Sequence, residues 1–341
     1  MRRSVAHTVL VFVLCSAAWG AERPPAVSPI LTSPRPAPAS SGATYEYQLI
    51  PFHYSLFESR KEFEKYLDEF GEEGWFSIFH FGFGNPQSER RLLMRPVGGV
   101  PLEVEFDIKK NKKTFSNNVE VWVKAFDKLG KRGKIAVAQF TQSGKTYGVT
   151  EAHTLDGELR TFRFRRIVVG KRHEVGPAEF KKAVRELAED GYVPFIIGFP
   201  DQSGEADYNV VGIKETTADI EAEVELKFAT ANLGTTPKKW TKTINKKARK
   251  GYQLVEVELS DSSGKNFIVT FARVKINGEF TRRKCVVEPI LVNALDQMTQ
   301  NLNSRGAAGY EKIYETFGGG VNSFQFVLCR DKGATLLSSQ R

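Results

Sequence analysis

Phe63-Glu64-Lys65-Tyr66-Leu67-Asp68-Glu69-Phe70-Gly71-Glu72-Glu73-Gly74-Trp75 reads as an amphipathic helix that runs into a glycine and then an aromatic residue. The same signal returns four times. Its glycines, Gly74, Gly133, Gly191, Gly251 and Gly309, are spaced 59, 58, 60 and 58 residues apart. Eleven residues before each glycine stands a large apolar residue (Phe63, Trp122, Phe180, Trp240, Met298), and seven before it stands another (Leu67, Phe126, Val184, Ile244, Leu302). The next residue is aromatic at Trp75, Tyr192, Tyr252 and Tyr310, while the second copy carries Lys134. Matching registers at a fixed period mark an array of one small module.

The local chemistry explains the pattern. A glycine just past a helix end suits a left-handed C′ position, where a Cβ would clash, and the following side chain folds back over the last turn. That register puts Trp75 on Phe70, Tyr192 on Leu187, Tyr252 on the stem of Lys247 and Tyr310 on the stem of Arg305. Ser59 with Glu62 and Asn117 with Glu120 resemble capping boxes, and Pro177 and Pro237 suit a first helical position. Phe63, Leu67 and Phe70 recur at i, i+4 and i+7, which gives one buried stripe. Alternating strands flank the helices: Tyr45 to Phe52, Phe76 to Phe83 and Arg91 to Arg95 in the first copy, Glu223 to Ala229, Gln253 to Leu259 and Asn266 to Val274 in the fourth. Turns fall near Asn85-Pro86 and Ser263-Gly264.

Each unit is therefore βαββ. The expected class is α+β: a tandem array of five βαββ modules, each a three-stranded mixed sheet with one helix on one face. The modules span 45–99, 100–155, 156–217, 218–278 and 279–332, with a tail at 333–341. A unit of about 58 residues buries only about 60% of its unfolded surface, so neighbours should support one another by edge pairing or sheet contact.

The first copy, with Tyr45-Glu46-Tyr47-Gln48-Leu49-Ile50, Gly74-Trp75 and Leu92-Leu93-Met94-Arg95, resembles a family of small bacterial domains of unknown function. Those domains open on a Tyr-Glu-Tyr-Lys-type strand, carry a Gly-Trp-Glu-Leu segment and end on a basic residue. The other four copies match only as a pattern. The resemblance implies a βαββ fold and a bacterial source. It brings no catalytic residues.

Arg2 and Arg3, an apolar core from Val5 to Leu14 and the small residues Ala18, Gly20 and Ala21 form a secretory signal peptide over 1–21. Leu14 argues against lipidation at Cys15. Residues 22–44 are rich in Pro, Ala and Ser and read as an extended tether. The later chain has no apolar run suited to a membrane helix, so the expected location is periplasmic or extracellular. Removal of the leader leaves Cys285 and Cys329, as a bridge if their strands are neighbours or as two buried thiols.

Chemical motifs are sparse. Ser143-Gly144-Lys145-Thr146 has Gln139 where a phosphate loop needs glycine, and Ser263-Gly264-Lys265-Asn266 holds the same repeat position, so both read as hairpin turns. His53, His80, His153 and His173 have no ligand spacing, and no nucleophile elbow is present. No cofactor, metal or catalytic residue is assigned. The strand Phe76 to Phe83 is apolar on both faces, which requires cover from a neighbouring module or from a partner.

Net charge is +9, with clusters at Lys109 to Lys113, Arg160 to Arg166, Lys238 to Lys250 and Arg282 to Lys284. Between Lys238 and Lys250 there is no acidic residue. Trp240, Ile244 and Ala248 form the buried side, and Lys238, Lys239, Lys242, Lys246, Arg249 and Lys250 gather opposite as a candidate polyanion-binding ridge. The functional expectation is an exported, non-catalytic binding or scaffolding protein whose partner is a protein or an envelope polymer. A polyanion binder, for phosphate-bearing polymer or extracellular nucleic acid, is the alternative, and an envelope hydrolase the second.

Overall fold

The computed structural model describes residues 44–81, 89–98, 102–110, 119–142, 145–171, 175–197, 207–217, 222–232, 235–259, 266–276, 280–291, 294–317 and 324–331. The expected leader, most of the tether, the tail, the turns at Asn85-Pro86, Ser143-Gly144 and Ser263-Gly264, the Asn117 cap and His173 lie outside these residues.

The class is α+β. In chain order the elements are β1 (Thr44–Pro51), α1 (Arg60–Glu72), β2 (Phe76–Phe81) and β3 (Arg90–Val97), then β4 (Leu102–Lys110), α2 (Val119–Gly130), β5 (Lys134–Gln142), β6 (Lys145–Leu155) and the short β7 (Glu158–Leu159). They continue with β8 (Phe162–Lys171), α3 (Pro177–Glu189), β9 (Val193–Ile197) and β10 (Asp207–Glu215), and with β11 (Ala222–Asn232), α4 (Pro237–Ala248), β12 (Gln253–Leu259) and β13 (Asn266–Ile276). Last come β14 (Arg283–Pro289), α5 (Leu295–Ala307), β15 (Glu311–Phe317) and β16 (Phe324–Asp331).

The strand orders are β1-β3-β2, β4-β6-β5, β8-β10-β9, β11-β13-β12 and β14-β16-β15, with β7 added on β6. This corrects the expectation of mixed sheets. The central strand is antiparallel to both neighbours: β6 to β4 and β5, β13 to β11 and β12, β16 to β14 and β15. The helical crossover leaves a gap one strand wide, and the hairpin strand fills it. Antiparallel pairing on both sides is slightly stronger per residue than a parallel pair would be.

Each post-helix strand meets its centre with a bulge, at Ile78, Val137, Phe195, Val255 and Ile313, each four residues after its glycine. A bulge places an extra residue in the ladder and breaks the alternation of faces. That accounts for the double-sided apolar look of Phe76 to Phe81, where Phe76, Ser77, Ile78 and Phe81 are all buried.

Helix ends follow the glycine chemistry. Gly74, Gly133, Gly191, Gly251 and Gly309 have φ of 80, 74, 78, 81 and 78°. In α1 the Gly74 N–H donates to Gly71 O at 2.9 Å and the Trp75 N–H to Phe70 O at 3.0 Å, a Schellman motif. Tyr192 to Leu187, Tyr252 to Lys247 and Tyr310 to Arg305 repeat the outer bond. Tyr192 packs on the cluster that holds Leu187, as expected, but the cations over Tyr252 and Tyr310 are not those of Lys247 and Arg305. The central strand places a cation over each ring, Arg95 over Trp75 at 4.6 Å, Lys214 over Tyr192 at 6.0 Å, Arg273 over Tyr252 at 4.8 Å and Arg330 over Tyr310 at 5.0 Å, and Lys227 of β11 adds a second over Tyr252. Arg273, Lys214 and Arg330 also donate to the carbonyl just before the glycine, each at 3.2 Å. Strand pairing sets these cations directly opposite the aromatics, whereas Lys247 lies over Phe271 and Arg305 turns to Glu288. Lys134 replaces the aromatic in the second copy and pairs with Asp107 at 2.7 Å.

The described residues divide into two compact units. One holds residues 48–95 and 102–163, the other 44–47, 96–98 and 164–331. Within each, a helix packs on the first strand of another sheet, and sheets also meet directly, as expected: Ser77 N donates to Glu151 in the first unit, and β12 lies beside β9 and β15 in the second. In the first unit a Cβ at Gly71 would collide with the carbonyl of Val104, and α1 carboxylates accept from the β4 backbone: Asp68 Oδ1 from Phe106 N at 3.3 Å, Glu64 Oε1 from Ile108 N at 2.9 Å. In the second unit Asn245 of α4 accepts from Cys285 N at 2.7 Å and donates to Cys285 O at 2.6 Å. Asn303 of α5 makes the same pair with Tyr47, at 2.7 and 2.9 Å, and a Cβ at Gly306 would collide with Tyr45 O. These contacts satisfy the backbone groups of an open sheet edge. They also cover sheets on both faces: Phe271 packs against α4, while Ile268 of the same strand joins Phe180, Ala183, Val184 and Leu187 of α3.

Candidate polyanion-binding surface

Helix α4 starts at Thr236, whose hydroxyl accepts from Lys239 N at 3.4 Å, with Pro237 in the first turn. Trp240, Ile244 and Ala248 are buried among Tyr252, Leu254, Val269, Phe271, Cys285, Val327 and Cys329. Cys285 and Cys329 stand opposite each other in the β14–β16 ladder, Cα atoms 4.1 Å apart, joined as a disulfide. The helix therefore rests on a crosslinked pair of strands, and Asn245 fixes its height.

Lys238, Lys239, Lys242, Lys246, Arg249 and Lys250 are all exposed on the opposite side. Among the described residues none of the six is in ion-pair contact with a carboxylate. Other helices carry their own counter-charges: Lys124 pairs with Glu120 at 2.6 Å, Lys131 with Asp127 at 3.0 Å, and Glu186 of α3 with Arg165 at 3.1 Å. The half-buried Lys247 is pushed below the usual lysine range, first by burial and then by Lys227, Lys246 and Lys250. The face can attract a polyanion over its length by charge.

Sequence reading missed two features. Asn245 and Asn303 each stand six residues before the periodic glycine, and Gly71, Gly130, Ala188, Ala248 and Gly306 stand three before it, so aligning the copies on polar and small positions would have exposed the helix-to-edge contact. The second feature is a buried network in the first unit. Glu151 accepts from Ser77 N at 2.8 Å and its other oxygen meets His153 Nε2 at 3.0 Å. Arg91 donates through Nε to the Ser77 hydroxyl and through Nη2 to Val137 O at 2.6 Å, the carbonyl of the bulge residue in β5. The four side chains are at most 2% exposed. Ser77 is bonded to the arginine and His153 to the carboxylate, so the trio is not a nucleophile with its base, and it is closed to substrate. No sequence period predicts it, because its members come from separate copies.

Comparison with protein-family models, with curated proteins and with solved structures returned no match. Among the described residues no helix is long and apolar enough to cross a membrane, and no three His, Cys, Asp or Glu side chains form a metal-binding group.

Proposed function

We propose that this is an exported, non-catalytic binding or scaffolding protein built from five tandem copies of one βαββ module, and that the outer face of α4 is its contact surface for an anionic polymer. The observation that carries the reading is the row of six exposed cations with no carboxylate in ion-pair contact among the described residues. The bulge four residues after each periodic glycine supports descent of the five sheets from one module. The Cys285–Cys329 disulfide supports export, since such bonds persist in oxidising compartments. The family resemblance of the first copy belongs to the same proposal. A hydrolytic reading has less support, because the Ser77, Glu151 and His153 side chains are sealed from solvent.

Binding by charge without sequence readout falls steeply with salt. Changing Lys242, Lys246 and Arg249 together to Gln should lower the salt slope of heparin binding by up to about three charges while the fold persists. Unchanged retention by the folded triple variant would reject the surface. N-terminal sequencing of protein recovered from the host envelope should begin after Gly20 or Ala21, and an intact Met1 would remove the export step.

A further inference from the structure

The cations around α4 are not evenly used. A basic last turn ordinarily serves the helix by meeting its terminal carbonyls. Here those carbonyls are already bonded: Lys247 O accepts from Tyr252 N, Ala248 O from Gly251 N, and Lys250 O from Arg273. The lysines of this turn are surplus to capping. A fourth lysine joins them from the sheet, because Lys227 of β11 places Nζ 4.5 Å from the centre of the Tyr252 ring. Its neighbour Glu225 does not neutralise the group, being bonded to Tyr252 Oη at 2.8 Å and paired with Arg273 and with Lys275 at 2.5 Å. Among the described residues no carboxylate is in ion-pair contact with Lys227, Lys246, Lys247 or Lys250. Like charges drawn together from two elements, with Lys247 half-buried, are unfavourable unless an anion joins them.

We propose that Lys227, Lys246, Lys247 and Lys250 form a discrete site for a phosphate monoester at the C-terminal end of α4. This rests on the polyanion reading of α4 and adds a point where one group of the ligand is held. A monoester carries about −1.5 to −2 charges at neutral pH and three strong acceptor oxygens, which suits a group of lysines on two neighbouring elements, with Lys227 and Lys247 both beside Phe271, better than the single charge of a phosphodiester does. The ridge then tracks the internal charges of a polymer, and this site takes its phosphorylated end.

The probes are glycerol 3-phosphate, a monoester, and glycerophosphorylglycerol, a diester, each titrated by phosphorus NMR at low salt into the chain from residue 22 onward. The monoester should bind more tightly. Lys227→Gln should weaken it about tenfold, and Lys227→Arg, which keeps the charge, should stay near wild type. Lys239→Gln with Lys242→Gln should leave monoester binding unchanged while reducing heparin retention. Wild-type affinity in Lys227→Gln, or equal affinity for the two probes, overturns the site. If the ridge variants still lose heparin in that case, the polyanion surface stands without it; if wild type ignores heparin, the surface falls as well.

Discussion

Helices α1 and α4 occupy the same place in their βαββ segments and solve the same docking problem with opposite charge. Helix α1 meets the β4 edge with carboxylates, Asp68 and Glu64, each accepting one backbone N–H. Helix α4 meets the β14 edge with the neutral amide of Asn245, which both accepts and donates. The acidic solution leaves Asp68 shifted above the usual carboxylate range, by burial first and then, against the Phe106 N–H, by Glu64, Glu105 and Glu72. The neutral solution frees the rest of α4 to carry cations alone. The docking position is thus tied to backbone geometry, and the outer face is not.

The largest difference between the two regions should come from the crosslink under α4. Changing Cys285 and Cys329 together to Ala should cost about 4 kcal/mol in the second unit, given the 44-residue separation, and leave amide exchange in α1 unaltered. Equal loss of protection in both helices would mean that the disulfide does not distinguish them. Next is the close approach on the other side: Gly71→Val should destabilise the first unit by about 3 kcal/mol in a urea melt, because the added carbons meet the Val104 carbonyl, which belongs to backbone and cannot swing away. Asn245→Ala should cost about 2 kcal/mol by stranding the Cys285 N–H and C=O, whereas Asp68→Asn, which keeps an acceptor, should be nearly neutral. An equal effect of the two would erase the contrast drawn between amide and carboxylate docking.

The smallest effects are in pH. Lys275, then Tyr252 and Arg273, hold Glu225 down at about 2 against the burial that raises it. Its folded pKa lies below its unfolded one, so its stabilisation is present above about pH 4.5 and is lost as pH falls toward about 2. Asp68 has the opposite sign: its raised pKa favours the folded state as protonation sets in. Acid melts should therefore flatten in Glu225→Gln and steepen in Asp68→Asn, and parallel curves for both variants would show that neither group titrates as described.

Much of the helix placement was legible. Trp240, Ile244 and Ala248 lie on the buried side, and Gly251 is left-handed, because those outcomes depend on residues a few positions apart. Strand order was not legible, since the hydrophobic period of Asn266–Ile276 is the same whether it lies at the edge or the centre of its sheet. The site was legible as a helix face but not as a charge cluster. Lys227 is 20 residues from Lys247 and reaches it only through the fold. The Arg91 network was hidden for a related reason, because its acceptor Val137 O exists as a free group only once a bulge has formed in another sheet.

The contact between Asn303 and Tyr47 also orders events in time. Its partners are 256 residues apart in the chain, and the Tyr47 hydroxyl bonded to Lys312 N closes an even longer loop of 265. The outer edge of the first strand therefore stays uncovered until nearly the whole polypeptide has been made, and a search of that length slows folding. A chain emerging from the ribosome pairs one edge of its first strand with β3 early and keeps the other edge bare throughout synthesis.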